Sequence, residues 1–185
     1  MKALVYGHSQ SGGMGLDLAK ALAKAGIDVE RVTHVGYTDK KLINARKDIK
    51  SGPFDLVFLY AGGNSNKPTP NDIVELARTF PSARVSVVLP PVNVDRDAQA
   101  VAALREKNAG NKAGVSAAGL KVYTVEAHAS DFWPDKIHMR PKSAASVELA
   151  NKIVADATGS TGQAVLGFLL VGAVAFWAYK RWGVK

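Results

Sequence analysis

The chain has 185 residues, 24 of them lysine or arginine against 16 aspartate or glutamate, and it contains no cysteine. A length of that order is one domain's worth, and 47% apolar with 22% charged residues excludes collagen, coiled coil and extended disorder. Without cysteine there is no disulfide framework, no thiolate nucleophile and no thiolate-held zinc, so any nucleophile is expected to be a hydroxyl. The formal charge of +8 is dispersed: Lys180, Arg181 and Lys185 supply three of the cations and the rest scatter over helix-like faces. No nucleic-acid partner is expected from such a pattern.

In chain order, Lys2 is followed at once by the apolar run Ala3–Gly7, which reads as a strand and not as a secretory signal. Further strand-like runs lie at 29–35, 54–61, 83–90 and 120–125, separated by helical patterns near 14–25, 39–50, 70–79, 95–108 and 142–156. Strands such as Asp55-Leu56-Val57-Phe58-Leu59-Tyr60 are almost continuously apolar, as strands buried on both faces should be. Alternation of this kind predicts an α/β fold: a three-layer, doubly wound, five-stranded parallel sheet with helices on both faces. In such folds ligands bind beyond the carboxyl ends of the strands, so the chemistry belongs in the loops that follow them.

A different pattern closes the chain. Residues 164–179 are sixteen in a row without a charge, ending in Lys180-Arg181-Trp182. Sixteen helical residues reach only about 24 Å against a hydrocarbon core of about 30 Å. Residues 163–182 span it if the terminal cations snorkel. The predicted organisation is a catalytic-type domain over 1–156, a flexible linker over 157–162, a transmembrane helix over 163–182 in contact with a lipid bilayer, and a basic tail over 183–185. A buried C-terminal core helix is the alternative for the apolar segment. Basic residues after the span favour an external domain, whereas nothing N-terminal to the domain would export it; a tail-anchored cytoplasmic protein or a bacteriophage protein delivered to the cell envelope by the virion would each remove that conflict.

Four strand-end loops carry candidate chemistry. After the first strand, Gly7-His8-Ser9-Gln10-Ser11-Gly12-Gly13-Met14-Gly15 leads into a helix expected to begin near Leu16. This loop has four readings: a plain turn, a phosphate cradle like the first loop of flavodoxin-like proteins, a shifted form of the α/β-hydrolase nucleophile elbow, or a loop presenting Ser9 as nucleophile with its own N–H facing an oxyanion. Gly36-Tyr37-Thr38-Asp39 follows the second strand, with Thr38 or Asp39 as helix cap. Gly62-Gly63-Asn64-Ser65 follows the third and places an amide at a strand end, either as a donor to developing negative charge or as an Asx turn. The last loop, Asp131 to Pro141, holds Asp135 three residues before His138, a spacing that lets the carboxylate orient the imidazole while its other nitrogen faces a hydroxyl. A metal site from His128, Asp131, Asp135 and His138 is the competing reading, though this mixed set matches no closed structural site.

Taken together these blocks resemble the SGNH, or GDSL-type, hydrolase family, over residues 1 to about 156 and in the family's order. Gly7-His8-Ser9 is similar to its Gly-Asp-Ser, Gly36 to its second-block glycine, Gly62-Gly63-Asn64 to its Gly-x-Asn, and Asp135-Lys136-Ile137-His138 to its Asp-x-x-His. The resemblance implies a flavodoxin-like SGNH fold and an esterase with Ser9 as nucleophile, His138 as base and Asp135 as orienter. It further implies an oxyanion hole from the Ser9 N–H, the Gly36 N–H and the Asn64 amide. No cofactor and no metal are expected on this reading, and the preferred substrate is a small acyl ester, an O-acetyl group on a cell-envelope glycan. Two departures stand out: His8 replaces the usual first-block aspartate, and Ser65 replaces the aspartate after Asn64. They support a second expectation, a catalytically inactive, membrane-tethered binding or structural protein that keeps the fold. A flavodoxin-like FMN protein is the third.

Overall fold

The computed structural model describes residues 1–159. Its central sheet contains β1 (Lys2–Gly7), β2 (Asp28–Thr33), β3 (Leu56–Tyr60), β4 (Arg84–Val88) and a later strand, β6 (Lys121–Tyr123), all parallel, in the order β2-β1-β3-β4-β6. This is the expected doubly wound arrangement, and the strand order reverses between β1 and β3. A two-residue parallel pair, β5 (Val92–Asn93) with β7 (Glu126–Ala127), lies outside the main sheet and was not expected.

The continuous apolar strands feed two cores by alternation. Ala3, Val5, Leu56, Phe58 and Tyr60 face α1 (Gln10–Lys24) and α5 (Ala144–Thr158). Leu4, Tyr6, Val57, Leu59, Val85 and Val87 face the opposite layer, formed by α2 (Asp39–Ala45), α3 (Pro70–Arg78) and α4 (Ala98–Ala117). Burial on both faces explains why no polar residue interrupts β3.

Three helices differ from the expectation. α1 begins at Gln10 and not near Leu16, so the glycine-rich segment is helical. Its glycines answer to packing: a Cβ at Gly15 would meet Val5 Cγ1 at 2.9 Å, and one at Gly13 would run into the Met139 carbonyl. α2 stops at Ala45 and gives way to a 3₁₀ turn over Arg46–Asp48. α4 runs to Ala117, nine residues past the expected end at 108, through the loop-like Asn-Ala-Gly-Asn-Lys-Ala-Gly. Gly110 and Gly114 let Pro68 and Pro70 approach the helix, while buried Asn108 donates to the Pro90 carbonyl (2.8 Å) and buried Asn111 accepts from the Thr69 N–H (2.7 Å). Tertiary contacts thus outweigh the weak helix propensity of glycine and asparagine.

At the other end α5 reaches Thr158 and is closed by Gly159 in the left-handed conformation, φ 70°, a C-terminal stop that glycine adopts freely. The helix therefore takes in the first residues assigned to the linker. The transmembrane segment over 163–182 and the basic tail lie outside the described residues. Among the described residues no helix is long and apolar enough to cross a membrane.

Candidate active site

The carboxyl ends of β1 and β3, on either side of the strand-order reversal, carry the first and third candidate loops. Ser9 is the residue immediately before α1, so its side chain stands at the positive end of a fifteen-residue helix with no acidic residue in its first turn. The histidine arrives from the far end of the chain on a short hairpin. Phe132 and Met139 form an antiparallel bridge and are both buried, Trp133 N–H donates to the His138 carbonyl (2.8 Å), and Arg140 N–H donates to the Asp131 carbonyl (2.8 Å). Two contacts seat this hairpin on the first turn of α1. Gln10 Nε2 donates to the Ile137 carbonyl (2.8 Å), and Gly13 leaves room for the Met139 carbonyl.

At the hairpin tip, Asp135 Oδ1 accepts from the Ile137 and His138 N–H groups, both at 2.9 Å, and Lys136 takes a left-handed φ of 58° to close the turn. Asp135 Oδ2 lies 2.7 Å from His138 Nδ1, and His138 Nε2 lies 2.8 Å from Ser9 Oγ. The hydrogen bonds from the His138 backbone and ring, then from Ile137, hold the Asp135 carboxyl down at about 2. An ionised Asp135 accepts a hydrogen bond from the Nδ1–H, which fixes the tautomer and leaves the Nε2 lone pair free to take the serine proton.

The third block supplies the amide. Asn64 Nδ2 donates to the Tyr37 carbonyl across the gap between two loops (2.8 Å), so the side chain bridges to the second block and is not an Asx turn. An amide nitrogen carries two protons, and the second remains for the cleft. Gly36, beside Tyr37, has φ +76° and open space where a Cβ would be, so glycine is needed there for its backbone conformation. Among the described residues no protein group accepts from the Ser9 N–H or the Gly36 N–H. Ser9, Gly36, Asn64 and His138 all line one cleft of about 660 Å³.

Behind this constellation lies a layer of residues that sequence reasoning did not assign. Asp39 does not cap α2; Thr38 does, accepting from the Lys41 N–H (3.4 Å). Buried Asp39 instead accepts from the Gly62 N–H (2.9 Å) and from Thr69 Oγ1 (2.7 Å), which fixes the start of the Gly62-Gly63-Asn64 turn. Lys107, from α4, donates to the Gly63 and Ser65 carbonyls at 3.2 and 3.1 Å, and burial lowers its pKa against the pull of Asp39.

His8 is the remaining member of that layer. It is 1% exposed and packs its ring against Gly63, where a Cβ would come within 2.6 Å of Nε2. A neutral imidazole has one acceptor nitrogen. Of two competing contacts, the Gly63 N–H to Nε2 (3.1 Å) is shorter than the Gln10 N–H to Nδ1 (3.5 Å), and we assign the bond to the former. Burial pushes the His8 pKa down, with Lys107 and His138 adding to the effect and Asp39 opposing it, so the ring is neutral and tethers the third block to the first. The Gly-His-Ser block marks His8 as a departure, but nothing in the sequence marks Asp39 or Lys107 as its neighbours.

The alternative metal set does not assemble. His128 Nδ1 pairs with Asp95 (3.2 Å), Asp131 accepts from the Ala145 N–H (3.4 Å), and among the described residues no three histidine, aspartate or glutamate side chains gather as a ligand group.

Comparison with known proteins separates sequence from fold. No family model matches the chain, and no curated protein sequence matches it. Solved structures do. An extracellular lipase from Streptomyces rimosus superposes with a TM-score of 0.61 at 13% identity, covering 82% of this chain and 99% of that one. The fold is one also seen in solved structures described as lipolytic proteins of the G-D-S-L family. Phospholipase A1 from Streptomyces albidoflavus matches with a TM-score of 0.63 at 13% identity, over 82% of this chain and 98% of that one. A family two carbohydrate esterase from Clostridium thermocellum, solved with cellohexaose, matches with a TM-score of 0.60 at 16% identity, over 87% and 64% of the two chains.

Proposed function

We propose that the chain is a serine ester hydrolase of the SGNH type that removes a small acyl group, an O-acetyl ester on a cell-envelope glycan, and that residues 163–182 anchor it to a membrane. The observation that carries this reading is the unbroken relay from Asp135 through His138 to Ser9, at 2.7 and 2.8 Å. In the first half-reaction Ser9 Oγ attacks the ester carbonyl while His138 Nε2 takes its proton. The tetrahedral oxygen receives hydrogen bonds from the Ser9 N–H, the Gly36 N–H and the Asn64 amide. His138 then returns the proton to the departing alcohol, leaving an acyl-serine. Water attacks that ester with His138 again as base, and the free acid and Ser9 are released. The open cleft suits a small acyl group on a larger carrier better than a long buried chain.

A serine-reactive fluorophosphonate provides the test. Full-length protein in detergent is expected to label, and Ser9→Ala is expected not to. If wild type and Ser9→Ala are equally unlabelled and neither cleaves acetyl esters, the reading gives way to that of a tethered binding protein, which the replacement of the first-block aspartate by His8 favours.

A further inference from the structure

Among the described residues the formally charged side chains that line the cleft are of one sign: Arg96, Lys107 and Lys136 do, and no carboxylate does. The acidic side chains nearest to these cations in sequence are turned to other partners: Asp95 to His128 Nδ1 (3.2 Å) and the Ala129 N–H (2.7 Å), Asp97 to the Ala100 N–H at the start of α4 (2.8 Å), and Asp135 to His138 (2.7 Å). Lys107 is occupied by the Gly63 and Ser65 carbonyls. Among the described residues neither Arg96 nor Lys136 forms an ion pair. The two stand on linked segments, since Asn93 Nδ2 donates to the Lys136 carbonyl (3.4 Å) and the Asn93 carbonyl accepts from the Arg96 N–H (3.4 Å). Between the cations of this wall α4 presents a small apolar strip, Ala100, Ala103 and Leu104, on the same face as Lys107.

We infer that the cleft selects esters on an anionic carrier, whose negative group is held by Arg96 and Lys136 while an apolar face of the substrate lies on the strip from Ala100 to Leu104. This rests on the ester-hydrolase reading above and adds its substrate class. A guanidinium and an ammonium that pair with no carboxylate among the described residues, at the rim of a cleft that none of the described acids lines, both attract an anionic ester and fix where it docks. Lys107 contributes to the field of the cleft while its hydrogen bonds hold the Gly63 turn in place.

The test uses the full chain and a matched pair of acetyl esters, anionic 4-acetoxybenzoate and neutral methyl 4-acetoxybenzoate. Acetate release is measured for each, and kcat/KM is divided by the uncatalysed rate. The anionic-to-neutral ratio is read for wild type and for the Arg96→Gln/Lys136→Gln double variant. Because both esters meet the same enzyme sample, partial unfolding cancels from the ratio. The ratio is expected to favour the anion in wild type, to weaken as salt is raised, and to fall about fivefold in the double variant, the size expected of two exposed charge pairs. Cleavage of both esters with the same ratio in wild type and variant would overturn the anionic preference alone. Cleavage of neither would overturn the hydrolase reading and this inference with it.

Discussion

A histidine buried beside a nucleophile has to justify its desolvation, and His8 does so by accepting the Gly63 N–H. Protonation would remove that acceptor and place a charge in a site that burial already disfavours, which is why its pKa lies below the ordinary 6.5. The sign of the linkage follows. The unfolded chain binds the proton more readily, so the stability contributed by neutral His8 is complete above pH 6.5 and is lost as pH falls from there towards the depressed folded value. Thermal melts of wild type should therefore shift downward between pH 7.5 and 5 more steeply than those of His8→Gln, which keeps an acceptor that does not titrate; parallel curves would show that His8 carries none of the dependence. Asn64 gives a prediction of a different kind. Its amide is oriented by the Tyr37 carbonyl, and under the proposed mechanism its second N–H serves the oxyanion, so Asn64→Ala should lower kcat by about 10²–10³-fold with little change in KM. A variant with normal kcat and a lowered melting temperature would reduce Asn64 to a loop tie. The positions of Ser9, Asn64, Asp135 and His138 were legible as candidates because each sits in a short motif at a strand end. Those of Asp39 and Lys107 were not, because their partners are backbone groups 23 and 44 residues away, and such pairings leave no local pattern.

Between elements, the decisive contact is the seat of the 131–140 hairpin on the first turn of α1. Asp17 reinforces it from one turn further on, accepting from the Lys142 N–H and from Ser146 Oγ, each at 2.7 Å, and so pins the entry to α5. Gly13 is the narrowest point, since any side chain there meets the Met139 carbonyl. Gly13→Val is expected to push the hairpin off α1 and cut kcat by at least about 10²-fold, because a displacement near 1 Å between base and nucleophile has that order of effect. Serine-reactive probe labelling should fall in parallel. Unchanged labelling would mean that the hairpin keeps its seat on α1 without the close approach at Gly13. The strands were readable from apolar runs that only two-sided burial explains. α1 and α4 were read short for one shared reason: their glycines looked like loop signals, yet serve close approach to Met139, Pro68 and Pro70 in segments distant along the chain. Helix propensity is a local property, and these two helix boundaries are set by tertiary packing.

For the whole molecule, the two clusters buried among the described residues end at Ile153, with Val154 and Ala157 packed against the first, and α5 ends at a glycine stop. A chain cut after Gly159 is expected to remain folded and soluble, while the full chain partitions into detergent; aggregation of the truncated form would mean that the apolar segment over 163–182 belongs to the domain. The parallel sheet brings Ser9 from one end of the chain to His138 near the other, 129 residues apart, and the catalytic claim depends on these two acting as one device. The most direct measurement compares acetyl-ester hydrolysis by Ser9→Ala, His138→Ala and the double variant. A nucleophile without its base and a base without its nucleophile are nearly equally idle, so all three should lose activity by a similar factor, at least about 10³-fold, with Asp135→Asn losing less. Losses that multiply in the double variant, or single variants that keep wild-type activity, would contradict a shared Ser9–His138 mechanism.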